Sequence, residues 1–148
     1  LGCEVTDFGI VPDRREATIE ALRQASCDHD LILTSGGVSV GEEDHIKPAV
    51  ESLGRLDLWQ IAMKPGKPFA HGRIGAAHFI GLPGNPVSAM VTFLLIGRPL
   101  VLRLSGATGI ATPTFPETRT AISMLSPSCW TMLISAMVVS IRSCLVHP

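Results

Sequence analysis

The sequence predicts an α/β layered fold with a mostly parallel sheet, and three observations carry that expectation. Short apolar runs of strand length alternate with amphipathic segments that repeat near 3.6 residues. A glycine-rich loop, TSGGVSVGEEDH from Thr34 to His45, directly follows one of the apolar runs. Acidic residues or prolines stand where the helical segments open. In sheets of this kind ligands sit beyond the carboxyl ends of the strands, so the loops there are the ones to read for chemistry.

Glu4 to Val11 alternates well enough for a strand, which Pro12-Asp13 ends. From Arg14 to Ala25, the residues Ala17, Ile19, Ala21, Leu22 and Ala25 recur at helical spacing among Glu16, Glu20 and Arg23, with Asp13 as the expected N-cap. Asp30 to Thr34 is short and apolar, as a buried parallel strand should be. After the glycine loop, Ile46, Ala49, Val50 and Leu53 mark a second helix that begins near Asp44 and carries Pro48 in its first turn. Leu56 to Met63 reads as a strand and Lys64-Pro65-Gly66-Lys67-Pro68 as a loop. Phe69 to His71 and His78 to Ile80 read as two short strands. Leu82 to Pro86 is a second tight loop, with Asn85 as N-cap and Pro86 at the first helical position; that helix runs to about Gly97, where Arg98-Pro99 should break or kink it before a short helix to Leu104.

The 148 residues suit one domain with a real core rather than two. A net charge of -1 gives no global field to recruit nucleic acid or an anionic membrane, so any anion must be handled locally. Cys3, Cys27, Cys129 and Cys144 form no Cys-x-x-Cys pair, which points to a reduced, cytoplasmic setting rather than a disulfide or zinc scaffold. The start has no basic and apolar leader pattern and no initiating Met, and reads as a partial chain. Beyond Ser105 the only charged residues are Glu117, Arg119 and Arg142. Ser126-Pro127-Ser128 interrupts the uncharged run between the two arginines and argues against a membrane span there.

Gly36 and Gly41 have the spacing of a nucleotide P-loop, but Glu42-Glu43 follow where Lys-Ser/Thr is required, and the dinucleotide fingerprint is absent as well. Glycine-turn amides leading into a helix could still hold a phosphate; the turn could equally be geometric. Carboxylates beside a phosphate repel it unless a hard cation lies between, and Mg²⁺ characteristically takes one or two carboxylates plus phosphate oxygens. Asp44 and Asp13 are therefore candidate metal ligands, with helix-dipole complementation as the alternative. Lys64 and Lys67 present two ammonium groups on a stiff loop, either for an oxyanion or for solvent. Pro83 and Pro86 frame Gly84 and Asn85 in a rigid turn with amides at a helix start. His45, His71 and His78 share no metal-ligand spacing, and no hydrolase elbow is present.

Taken together, TSGGVSVGEED, PGKPFA and GLPGNPVSAMVTF resemble the molybdopterin molybdenumtransferase family, which includes a domain of gephyrin. The resemblance covers roughly Leu1 to Thr108 and takes in Asp13 of GIVPD. It implies a three-layer sandwich that lacks its first strand and helix, with residues 1–107 as the latter part of a molybdopterin-binding domain and 108–148 as an atypical tail. It also implies insertion of molybdate into adenylylated molybdopterin with release of AMP, aided by Mg²⁺. Asp13 and Asp44 match acidic, catalytic and metal-binding positions; Ser35, Gly36, Gly37, Ser39, Gly41, Lys64, Lys67, Pro83, Gly84, Asn85 and Pro86 match substrate-binding ones. A homodimer and a molybdopterin adenylyltransferase partner would follow for the longer protein. Two other readings share the fold: a molybdopterin adenylyltransferase, whose loop usually continues differently, and a non-catalytic binding or scaffold module.

Overall fold

The structure is a computed structural model and describes residues 2–38, 45–61, 68–108 and 137–142. Six strands, β1 (Glu4–Ile10), β2 (Leu31–Ser35), β3 (Gly54–Trp59), β4 (Ala70–Ile74), β5 (Ala77–Leu82) and β6 (Met137–Arg142), form one sheet in the order β1-β6-β2-β5-β4-β3. Their pairing gives β1, β2, β5 and β3 one direction and β6 and β4 the other. The expected α/β layering is present and the sheet is mixed. Only β2 and β5 are parallel neighbours, because a hairpin turns the chain from β4 into β5 and β6 lies antiparallel between β1 and β2.

Helices α1 (Arg15–Asp28) and α2 (Ile46–Leu53) cover one face of this sheet. Leu22, Ala25, Ile46, Ala49 and Val50 pack there against Ile32, Phe79 and Val138. Alternation along β2 and β5 sends Leu31, Ile80 and Leu82 to the other face, under Ala89 of α3 (Pro86–Thr92) and Val101 of α4 (Arg98–Leu104). Full burial of a side chain the size of Phe79 is worth about 1.5–3 kcal/mol.

Several boundaries move from those the sequence suggests. Helix α1 starts one residue later, with Arg14 as its N-cap and no side-chain cap bond, so Asp13 is released from capping. Strand β3 runs Gly54–Trp59 rather than Leu56 to Met63, since it must pair with Ile74 to Ala70 of β4. Pro99 does not break the last helix: α3 passes through a π-helical turn, Phe93–Gly97, into α4. The widened turn contains Leu95, whose carbonyl an inserted proline four residues on would otherwise crowd. This continuous helix, Pro86–Leu104, has a mean hydropathy of 1.7 and is long and apolar enough to cross a membrane by composition; here it lays Ala89 and Val101 on the sheet. The tail, assigned no domain from sequence, supplies β6. Its Ser140 is fully buried, and its Ile141 carbonyl accepts from the Asp30 N–H at 3.0 Å.

Gln60 is the only non-glycine residue with a positive φ among the described residues, at 68°. Its N–H donates to the Phe69 carbonyl at 2.7 Å, which closes the base of the loop that carries Lys64 and Lys67. A left-handed residue costs about 1–2 kcal/mol, most for a β-branched side chain. Gln60→Val should therefore lower unfolding free energy by about 1–2 kcal/mol and Gln60→Gly should not lower it, as read by urea denaturation.

Candidate functional site

The shared direction of β1, β2, β5 and β3 brings their carboxyl ends to one edge of the sheet. The turns after Ile10, Ser35 and Leu82 leave from this edge, as does the chain after Trp59. Eight residues singled out in the sequence are found on those turns: Asp13, Ser35, Gly36, Gly37, Pro83, Gly84, Asn85 and Pro86. Ser39, Gly41, Asp44, Lys64 and Lys67 lie outside the described residues.

Beyond Ser35, Gly36 and Gly37 take φ values of 87° and 69°, a left-handed pair that only glycine adopts without strain. The Gly36 N–H donates to the Leu82 carbonyl at 3.1 Å, which ties the glycine turn to the proline turn. A Cβ on Gly84 would stand 3.6 Å from the Gly36 Cα, so the two turns lie in contact. Val38 then enters the core, 1% exposed, against Gly81. The N–H groups of Gly37 and Val38 make no backbone bond to another described residue. Successive amides without a backbone partner among the described residues form, in such a turn, a concavity suited to an anion.

Asp13, freed from capping, holds its carboxylate largely in solvent. Its Oδ1 lies 3.9 Å from Nε2 of His45, which stands at the N-cap of α2 directly after Asp44. The residue before the N-cap of α1 and the N-cap of α2 are thus neighbours. Among the described residues no three His, Cys, Asp or Glu side chains group around a metal position. One carboxylate from Asp13 fits an ion that takes one or two carboxylates and completes its shell with phosphate oxygens and water.

The Asn85-Pro86 turn is the expected N-cap and first-position proline. The Asn85 Oδ1 accepts from the N–H groups of Val87 and Ser88 at 3.0 and 3.2 Å, and the Ala89 N–H bonds to the Asn85 carbonyl. Proline has no N–H to offer, so the helix start is satisfied internally and supplies rigidity rather than an anion cradle.

Sequence reasoning missed three contributors. His45 joins Asp13 to the acidic loop; its signal was its place between Asp44 and the first buried residue of α2, Ile46. Val38 pins the glycine turn, and Gln60 closes the lysine loop. These roles depend on contacts between distant segments, which local spacing does not record.

A second titratable cluster lies toward the amino end of β5. Arg73 Nη2 donates to His78 Nε2 at 3.0 Å, which places the imidazole proton on a buried Nδ1 with no partner among the described residues. Burial, then the positive charge of Arg73, then His71 lower the His78 pKa, and Asp57 opposes them. A histidine whose folded pKa is depressed contributes stability that is fully present above its ordinary value of about 6.5 and is lost as pH falls toward the folded value. Urea denaturation should show stability falling as pH drops below about 6.5, and His78→Gln should flatten that slope.

Comparison with known proteins adds to this geometry. Residues 1–103 match the family described as "Probable molybdopterin binding domain". The chain is 51% identical over 106 residues to a molybdopterin molybdenumtransferase of Haemophilus influenzae, covering 72% of this chain and 26% of that protein. It is 37% identical over 114 residues to gephyrin of Dictyostelium discoideum, covering 66% of this chain and 16% of that protein. Among solved structures, the molybdopterin biosynthesis MoeA protein of Pyrococcus horikosii matches with a TM-score of 0.57 and 33% identity, over 63% of this chain and 22% of that one. The chain spans about a quarter of the length of the bacterial relatives it matches.

Proposed function

The chain belongs to the molybdopterin-binding domain family matched by residues 1–103, and on that premise we propose that it binds adenylylated molybdopterin at the edge where β1, β2 and β5 end. Within a longer protein, this edge would serve insertion of molybdate into adenylylated molybdopterin with release of AMP. The observation that carries the reading is the joining of three turns: Gly36 N–H to the Leu82 carbonyl, Gly84 against Gly36, and Asp13 beside His45.

The chain's own groups divide the work. The Gly37 and Val38 amides donate to a phosphate oxygen, and the Pro83 to Pro86 turn holds the neighbouring wall rigid. Lys64 and Lys67 set positive charge toward molybdate and the leaving adenylate. Asp13, with Asp44, would hold Mg²⁺, which supplies Lewis-acid polarisation and charge neutralisation when bound. By resemblance alone, we place the longer protein in the cytoplasm as a homodimer fed by a molybdopterin adenylyltransferase.

Calorimetric titration of the chain with adenylylated molybdopterin and Mg²⁺ tests this. Saturable binding is expected, weakened when Mg²⁺ is chelated; heats no larger than those of dilution would refute it.

A further inference from the structure

On the face covered by α3, a groove of about 300 Å³ opens between that helix and β6, β2 and β5. Leu33, Leu82, Met90, Phe93 and Val139 wall it, and its lining is almost entirely apolar. It is continuous with the candidate site, because Ser35 and Pro86 belong to both. Ser35 lies two residues beyond Leu33 and so shares its face of the strand. Its hydroxyl is buried and has no partner among the described residues, which is unusual for a native polar group.

We propose that this groove receives a planar fused nitrogen heterocycle, the chemistry shared by the pterin and adenine ends of the nucleotide. The proposal rests on the reading above that this edge binds adenylylated molybdopterin, and it assigns where one ring goes. The volume stands at the low end of the roughly 300–1,000 Å³ of small-molecule pockets, which suits one bicyclic ring and not a whole dinucleotide. Apolar walls cover the ring faces, with Phe93 and the Met90 thioether as the polarisable contacts. The groove is open to solvent on one side, so the polar ring edge stays hydrated there, and the Ser35 hydroxyl meets the edge turned inward. A ring so placed directs its substituent toward the amides of Gly37 and Val38, immediately after Ser35-Gly36.

The test uses 6-hydroxymethylpterin and adenosine, two ring probes without phosphate, titrated by fluorescence and calorimetry into the chain. Ala89→Phe fills the groove, and Met90→Ala removes a half-exposed wall residue with little risk to folding. At least one probe should bind saturably, with affinity lowered at least about tenfold by Ala89→Phe and about threefold by Met90→Ala, or at least about 1.4 and about 0.7 kcal/mol. The probe that binds identifies which ring occupies the groove. No saturable binding of either probe, or binding that both variants leave unchanged, overturns the assignment. Adenylylated molybdopterin separates this result from the wider reading. If it binds the wild-type chain and both variants equally, the edge is the site and the groove is not; if it binds none of them, the reading of the edge fails and the groove assignment with it.

Discussion

Asp13→Asn removes the Mg²⁺-dependent part of pterin-nucleotide binding, a loss of at least about tenfold in affinity at saturating Mg²⁺. The geometry singles out this carboxylate. It sits at the end of β1 on the ligand edge, has no capping bond to α1, and lies 3.9 Å from the imidazole of His45. His45 immediately follows Asp44, so the two carboxylates are candidates for one cation. If they share it, Asp44→Asn has the same effect, and the double variant is no worse than either single one, because the second change removes a ligand from an ion already lost. Calorimetry with and without Mg²⁺ reads both quantities. Additive losses that persist without Mg²⁺ would instead mark the two residues as direct and independent substrate contacts.

Gly37→Val carries the largest expected structural effect at the site. Gly37 has a φ of 69°, and a Cβ there would meet Cγ1 of the buried Ile46 at 2.6 Å. Left-handed strain of about 1–2 kcal/mol adds to overpacking of about 1–3 kcal/mol, against a total stability of about 5–15 kcal/mol for an ordinary domain. The melting temperature should fall by about 10 °C. Nucleotide binding should weaken beyond what that destabilisation explains, measured at a temperature where the variant remains folded. Valine can relieve its strain only by moving the Gly37 and Val38 amides or by pushing Ile46 off the core. A variant that melts like the wild-type chain would show that the turn is not held as described.

Much of the layering was legible because it depends on local periodicity. The helical spacing of Ile19, Leu22 and Ala25, and of Ile46, Ala49 and Val50, describes the faces that pack on the sheet, and Asn85-Pro86 caps α3 as its residue types indicate. What was not legible depends on partners far away in sequence. Nothing local in Met137 to Arg142 marks a strand between β1 and β2; its place follows from pairing with Thr6 and Leu33 neighbours more than a hundred residues earlier. The start of β3 at Gly54 is set by β4, and the π turn before Pro99 by the need to continue one helix across the sheet. At the site, residue types named the turns, but the Gly36 to Leu82 bond and the Asp13 to His45 approach, which make them one surface, exist only once the sheet has formed.

The most direct test of a ligand edge at the carboxyl ends of β1, β2 and β5 is hydrogen exchange of the chain with and without adenylylated molybdopterin and Mg²⁺. Slower exchange is expected at Gly37 and Val38, at His45 and around Asp13 and Gly84, with no change at the opposite end of the sheet around Gly54 and Gly75. Protection at Gly54 and Gly75 that leaves the Gly36 to Val38 turn unaltered would contradict it.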